Sequence, residues 1–262
     1  METNLYGKSV FVAAGSKGLG RASALEFARE GANVTIASRN VEHLQQAAAE
    51  IKEVTGRDVH YVLMDVSDGE QIQNAVNAAV QHYGRLDVLI TNAGGPQAGS
   101  FADMDDAAWQ RAFESNLLST IRLIRSALPF LQEAGESRIV NIASSSVKQP
   151  IDGLILSNVY RAGIQALTKT LSSEYAAAGV LINTVAPGRI ATERMQELDS
   201  RRAQTEGVAV EQVQAQSLHS IPLGRFGTPE EFGKMVMFYG SFANTYVTGQ
   251  SLLVDGGTIR AF

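Results

Sequence analysis

A chain of 262 residues, 45% apolar and 19% charged, has the material for one large α/β domain with a buried core. Its net charge of −5, carried without a basic block, argues against nucleic acid as a partner, because phosphate binding needs clustered Lys and Arg. The absence of cysteine excludes disulfides, zinc–thiolate centres and a thiol nucleophile, and allows a reducing cytoplasm. No basic-then-apolar leader opens the chain, and no apolar run approaches the ~18–20 residues of a membrane span, so a soluble cytoplasmic protein without a membrane partner is expected.

Short apolar, β-branched runs alternate along the chain with helical patterns. The strands expected are Ser9–Ala14, Asn33–Ser38, Val59–Met64, Leu86–Thr91, Arg138–Ala143, Leu181–Val185 and Ser251–Val254. Most read as continuous apolar stretches, as strands buried on both faces do. The helices expected lie near Leu19–Glu30, Val41–Val54, Gly69–Tyr83, Asp105–Leu131, Leu156–Ala178 and Pro229–Tyr239. Such alternation predicts right-handed βαβ units: a doubly wound, seven-stranded parallel sheet with helices on both faces, in one domain spanning residues 1–262. The polar stretch Ile190–Pro222 carries no strand and reads as a helical lobe beside the site.

The first strand runs into Gly15-Ser16-Lys17-Gly18-Leu19-Gly20, and a helix follows at once. Glycines in this place let the backbone turn tightly and approach a pyrophosphate seated at the helix N-terminus. A glycine triplet alone is weak evidence, and a tight turn without ligand is its plainest explanation. Between the first strand and first helix of a βαβ series it becomes the signature of a Rossmann fold that binds a dinucleotide. The second strand ends in Ser38-Arg39, where an acid would bond the ribose hydroxyls of NAD. An Arg suits the 2′-phosphate instead. With Lys17 it provides two cations for one phosphate, so NADP(H) is the expected cofactor.

Beyond the glycine loop, Asp65-Val66 follows the third strand, Asn92-Ala93-Gly94 the fourth and Ser144 the fifth. Asn116 sits in the long helix, and Pro187-Gly188-Arg189-Ile190-Ala191-Thr192 follows the sixth strand. In this order the motifs resemble the short-chain dehydrogenase/reductase family, especially its 3-oxoacyl-carrier-protein reductase-like members, over about Leu5 to Gly257. The resemblance implies adenine contacts at Asp65 and Val66. It places Asn92, Ala93 and Gly94 beneath the cofactor, and Pro187, Gly188, Ile190 and Thr192 beside the nicotinamide. It implies catalytic roles for Asn116 and Ser144. It also implies a homo-oligomer, tetramer or dimer, with the long helices at one interface.

Two departures stand out. Where the family opens its glycine loop with Thr-Gly, this chain has Ala13-Ala14. Where the family has Tyr-x-x-x-Lys, thirteen residues past the Ser, this chain has Ser157-Asn158-Val159-Tyr160-Arg161. In the family the Tyr gives a proton to the carbonyl oxygen, and the Lys lowers its pKa and holds the ribose. An aliphatic hydroxyl at Ser157 is a far poorer acid than a phenol of pKa about 10. Arg161 keeps a cation for the ribose but, as a guanidinium that stays protonated at neutral pH, relays no protons. At roughly 100° per residue, Tyr160 lies about 60° around the helix from Ser157, a candidate displaced acid, though a tyrosine so placed is more often a packing residue. Lys148 is a second candidate, more simply a loop charge.

The expected function is hydride transfer between NADP(H) and a small-molecule carbonyl or secondary alcohol, through an atypical site. The rival is a non-catalytic dinucleotide-binding protein, a redox sensor or scaffold; a lyase or isomerase step on the same frame is a third reading. A carrier-protein partner would want a basic patch at the entrance, for which Arg189, Arg194, Arg201 and Arg202 are the candidates. The four His residues show no metal-ligand spacing, so no metal is expected.

Overall fold

A computed structural model describes residues 1–261. Its sheet has seven parallel strands in the order β3-β2-β1-β4-β5-β6-β7: β1 Ser9–Ala13, β2 Asn33–Ser38, β3 His60–Leu63, β4 Val88–Thr91, β5 Ser137–Ile142, β6 Val180–Pro187 and β7 Ser251–Val254. The chain winds outward from β1 to β3, returns, and winds the other way from β4. The strand order therefore reverses between β1 and β4. Helix connections leave that point in opposite directions, and a crevice opens at the carboxyl ends of the two strands.

Helices α1 (Gly18–Arg29), α2 (Val41–Thr55) and α9 (Pro229–Gly240) cover one face. There Phe27, Ile36, Leu44, Ile51 and Phe232 are buried together. Helices α3 (Gly69–Tyr83), α5 (Ser119–Glu133) and α6 (Ile155–Tyr175) cover the other. There Phe11, Met64, Ile72, Leu89, Leu123 and Ile139 form a second core. Each such side chain, fully buried, is worth ~1.5–3 kcal/mol, which is why the central strands read as unbroken apolar runs.

Side chains cap three of the six helices that cover the sheet. Asn40 accepts from the His43 N–H at α2, and Asp68 from Glu70 and Gln71 at α3. Thr228 and Glu231 form a reciprocal box at α9. Helix α1 has no side-chain cap. Its first-turn N–H groups, which a helix cannot satisfy internally, are left for another partner.

At β5, Arg138 is fully buried across the sheet. Its guanidinium donates to the carbonyls of Ser241 and Asn244 at 3.2 and 3.1 Å and lies over the Phe242 ring, 4.7 Å from its centre. It also reaches Glu136 at 2.9 Å, so the buried charge is satisfied.

Several elements differ from expectation. Strand β3 starts at His60 and alternates half-buried with exposed, because it is the sheet edge. Strand β4 begins two residues later than expected, at Val88. The helix expected over Asp105–Leu131 is three pieces: α4 (Asp106–Ala112), a wide π-helical turn over Phe113–Leu118, and α5. The polar stretch after β6, by contrast, is helical as expected, in two pieces: α7 (Glu193–Glu206) and α8 (Val210–Ser220). No helix among the described residues is long and apolar enough to cross a membrane.

Candidate functional site

The loop after β1 turns at Ala14, whose φ of +47° lies in the left-handed region. That turn brings the Ala14 carbonyl against Gly20, where a Cβ would collide with it, and within 3.5 Å of the Asn92 amide nitrogen. Gly15 is equally confined, since a Cβ would come within 2.9 Å of Ile36. Gly18 differs from both. It has φ +51°, and a Cβ there would meet only the Thr192 methyl, at 3.8 Å. Two of the three glycines thus serve close packing, and the third faces the crevice at the uncapped start of α1. The turn at Ala14 carries a cost: a left-handed conformation costs an L-residue ~1–2 kcal/mol, and the entropy a glycine adds to the unfolded chain is ~0.4–1 kcal/mol. The first exceeds the second, so Ala14→Gly is expected to stabilise the chain by about 0.5–1 kcal/mol. A thermal melt checks this; a lower midpoint would contradict it.

At the end of β2, Arg39 is exposed, and the Ser38 hydroxyl is buried with no hydrogen-bond partner. The two cations expected to share one phosphate are not equally free. Lys17 forms an ion pair with Glu193 at 3.1 Å. Glu193 opens α7, and the next residue, Arg194, donates to the Pro96 carbonyl in the loop after β4, at 2.8 Å. The first turn of α7 is thereby clasped to two of the loops that border the crevice. Thr192 caps the same helix, accepting from Met195 N–H.

Asp65 does local work: its carboxylate accepts from the backbone N–H and hydroxyl of Ser67, at 2.9 and 2.7 Å. Val66, beside it, packs against the second core. On the far side of the crevice, Pro187 ends β6, and Gly188 donates to the Val254 carbonyl at 2.9 Å. A Cβ on Gly188 would come within 2.5 Å of Asp255. Ile190 is buried in the first core.

The candidate catalytic residues come from three elements. Ser144 follows β5 and accepts from Ser146 N–H at 3.2 Å, while the Ser146 hydroxyl is buried without a partner. Asn116 lies in the π-helical turn; its amide nitrogen donates to the Ser115 hydroxyl at 2.9 Å, and its Oδ1 is buried with nothing to accept from. Local widening of a helix often marks a functional position. Ser157 and Arg161 share a face of α6, both buried. Arg161 donates from Nη1 to the Ile142 carbonyl at 3.1 Å and from Nη2 to the Ala93 carbonyl at 3.5 Å, so it spans the loop ends of β5 and β4. Burial pushes the guanidinium pKa down to about 10, which leaves it charged at neutral pH.

Tyr160 runs against the acid role expected of it. Its hydroxyl donates to the Trp109 carbonyl at 2.9 Å, and its ring packs edge-on to Trp109 and against Phe113. Burial raises its pKa, which moves the phenol further from useful acidity. Lys148 follows the Ser145–Val147 turn, half-buried. Of the arginines expected at the entrance, Arg189 turns inward to pair with the buried Asp199 and lies over Phe226. Arg194 pairs with Glu197, and Arg202 with Glu206. The basic patch is thus largely spent on internal pairs. Sequence reasoning missed the Arg189–Asp199 pair and the clasp at α7; neither the ten residues of the first nor the 176 between Lys17 and Glu193 is a helical or strand spacing. Among the described residues no cluster of His, Asp and Glu could hold a metal.

The donors and gaps at the crevice fit a dinucleotide. An uncapped helix start suits a pyrophosphate, the orphaned Ser38 hydroxyl and exposed Arg39 suit a phosphorylated ribose, and the orphaned Asn116 oxygen borders the reacting end.

Comparison with known proteins agrees with this geometry. The family model described as enoyl-(acyl carrier protein) reductase matches residues 13–258. The 3-oxoacyl-[acyl-carrier-protein] reductase FabG of Thermotoga maritima is 32% identical over 97% of this chain and 99% of its own. The 2-keto-3-deoxy-L-fuconate dehydrogenase of Xanthomonas campestris is 33% identical over 97% of this chain and 81% of its own. Among solved structures, L-sorbose reductase from Gluconobacter frateurii, complexed with NADPH and L-sorbose, superposes with a TM-score of 0.93 over 100% of both chains at 29% identity.

Proposed function

The chain belongs to the short-chain dehydrogenase/reductase family, as an NAD(P)-dependent oxidoreductase of its 3-oxoacyl-carrier-protein reductase-like kind, and from there we propose that it moves hydride between NADP(H) and a carbonyl or secondary alcohol at an atypical site. The observation that carries this reading is the crevice between β1 and β4. There an uncapped helix, a crevice-facing Gly18 and a free Arg39 meet Asn116, Ser144 and Arg161. The NADPH bound by the sorbose reductase supports the choice of cofactor.

In this reading Gly18 and the first turn of α1 hold the pyrophosphate, and Arg39 with Ser38 holds the 2′-phosphate. Lys17 joins them on leaving Glu193. Asn92, Ala93, Gly94 and the Pro187–Thr192 segment flank the nicotinamide. The cofactor supplies the hydride. Ser144 orients the carbonyl oxygen and Asn116 holds a water beside it. Tyr160 packs α6 against α4, and Ser157 and Arg161 stay protonated through the reaction. The proton therefore comes from Lys148 or from water, and turnover with unactivated ketones is slow. The rival, a dinucleotide receptor without turnover, gains its support from the same missing phenol. A homo-oligomer fits the exposed apolar side chains of Phe101, Val159 and Tyr246.

Arg39→Asp is the direct test. A charge-assisted hydrogen bond is worth ~1.5–3 kcal/mol, so NADPH affinity should fall about 10- to 100-fold while NADH binding improves. Calorimetry on both cofactors decides it, and equal affinity of the unaltered protein for NADH and NADPH would refute the assignment. Assay of a carbonyl panel beside the same titration separates oxidoreductase from receptor.

A further inference from the structure

We propose that Arg161 makes this site selective for the redox state of its cofactor, binding NADPH in preference to NADP+. The inference rests on the dinucleotide reading above and adds to it a discrimination between two forms that share every phosphate and hydroxyl.

Arg161 is 5% exposed, and its guanidinium donates only to backbone carbonyls, those of Ile142 and Ala93. No Asp or Glu among the described residues lies within ion-pair distance of it, whereas Arg138, also buried, has such a partner in Glu136. The candidate catalytic side chains, Ser144, Ser157 and Asn116, are neutral. Carbonyl dipoles satisfy the hydrogen bonds but do not cancel the charge. A buried cation without a counter-ion is costly, and a protein that retains one keeps a strong field at that point.

The two carbonyls fix where that field acts. Ile142 ends β5 and Ala93 follows β4, so the charge sits at the lip of the crevice, on the side where Asn116 and Ser144 gather. The nicotinamide ring is cationic when oxidised and neutral when reduced. On the dinucleotide reading, a fixed positive charge at this lip repels only the oxidised form. Over several ångströms, at the effective dielectric of ~20 found for protein sites, a unit repulsion alters affinity by about tenfold or more. The chain then stays loaded with NADPH even where NADP+ is several-fold in excess, and spent cofactor leaves readily.

The test is calorimetric and needs no turnover. Titrations of the unaltered protein with NADPH and with NADP+ should give dissociation constants differing by about tenfold or more. Arg161→Gln keeps a donor for the Ile142 carbonyl and removes the charge, so the ratio should shrink to within about threefold. Arg161→Lys restores the charge and should restore the ratio. Circular dichroism establishes that each variant is folded. Equal affinity for both forms in the unaltered protein overturns the proposal whatever the variants do, and so does an unchanged ratio in folded Arg161→Gln. Those outcomes leave the dinucleotide reading standing. Failure of either cofactor to bind would overturn both.

Discussion

Restoring a phenol and an ammonium by Ser157→Tyr with Arg161→Lys is expected to raise carbonyl reduction by about 10²–10⁴, the usual worth of a general acid. Ser157 is buried on the same face of α6 as Arg161, one turn away, so a Tyr at 157 and a Lys at 161 take the spacing the resemblance requires. Asn116 with its unpartnered oxygen and Ser144 after β5 are the other residues to which the resemblance gives catalytic roles. The single change Ser157→Phe adds the same bulk without the hydroxyl and should give no gain. A fixed panel of ketones, assayed by NADPH consumption, reads the result. No gain in a folded, NADPH-binding double variant would mean that the departure from the family extends beyond these two positions.

Gly18→Val is expected to lower dinucleotide affinity by a hundredfold or more while the circular dichroism spectrum stays native. A β-branched residue at φ +51° is strained even with free space around it, and the strain of ~1–2 kcal/mol alone disfavours the loop's present form. The two methyl groups then stand where the pyrophosphate would approach. Gly15 and Gly20 are poorer probes, because a Cβ at either strikes Ile36 or the Ala14 backbone and disturbs the fold. Affinity within about threefold of the unaltered protein, measured by calorimetry, would show that the glycine loop is only a turn.

Several strands could be read from the sequence because they are buried on both faces. Strands β1, β2 and β5 lie inside the sheet, covered on both faces, and their apolar runs match their extents closely. β3 sits at the edge, so its pattern alternates and its length shrank. The break at Phe113–Leu118 left no trace, because it contains neither Gly nor Pro and continues the helical pattern on either side. Pro129, which does look like a breaker, lies inside α5.

The candidate site divides in the same way. Glycines and strand-end motifs announce themselves by position. What each polar group bonds to does not. Lys17 and Glu193 meet across 176 residues of chain, and Tyr160 gives its hydroxyl to a carbonyl 51 residues away. Helix geometry placed Tyr160 near the site, but only the packing of α4 against α6 turned its phenol toward Trp109. Likewise the pairing of Arg189 with Asp199 removed a cation that the sequence shows as free.

Arg138 bears on how the chain is made. Its guanidinium emerges on β5, yet one of the carbonyls it needs belongs to Asn244, 106 residues later. At ~5–20 residues per second, a ribosome takes about 5–20 s to deliver that partner. Until then the guanidinium has Glu136 and the Ser137 carbonyl beside it, but lacks the carbonyls that let this position become fully dry. β5 therefore cannot settle into its final environment when its neighbours β4 and β6 are first available. The nascent chain has to keep this half of the sheet open until the segment around Phe242 arrives, so completion of the core is coupled to near-completion of synthesis. A chain truncated before Ser241 would retain every strand but β7 and still lack the means to bury one of them.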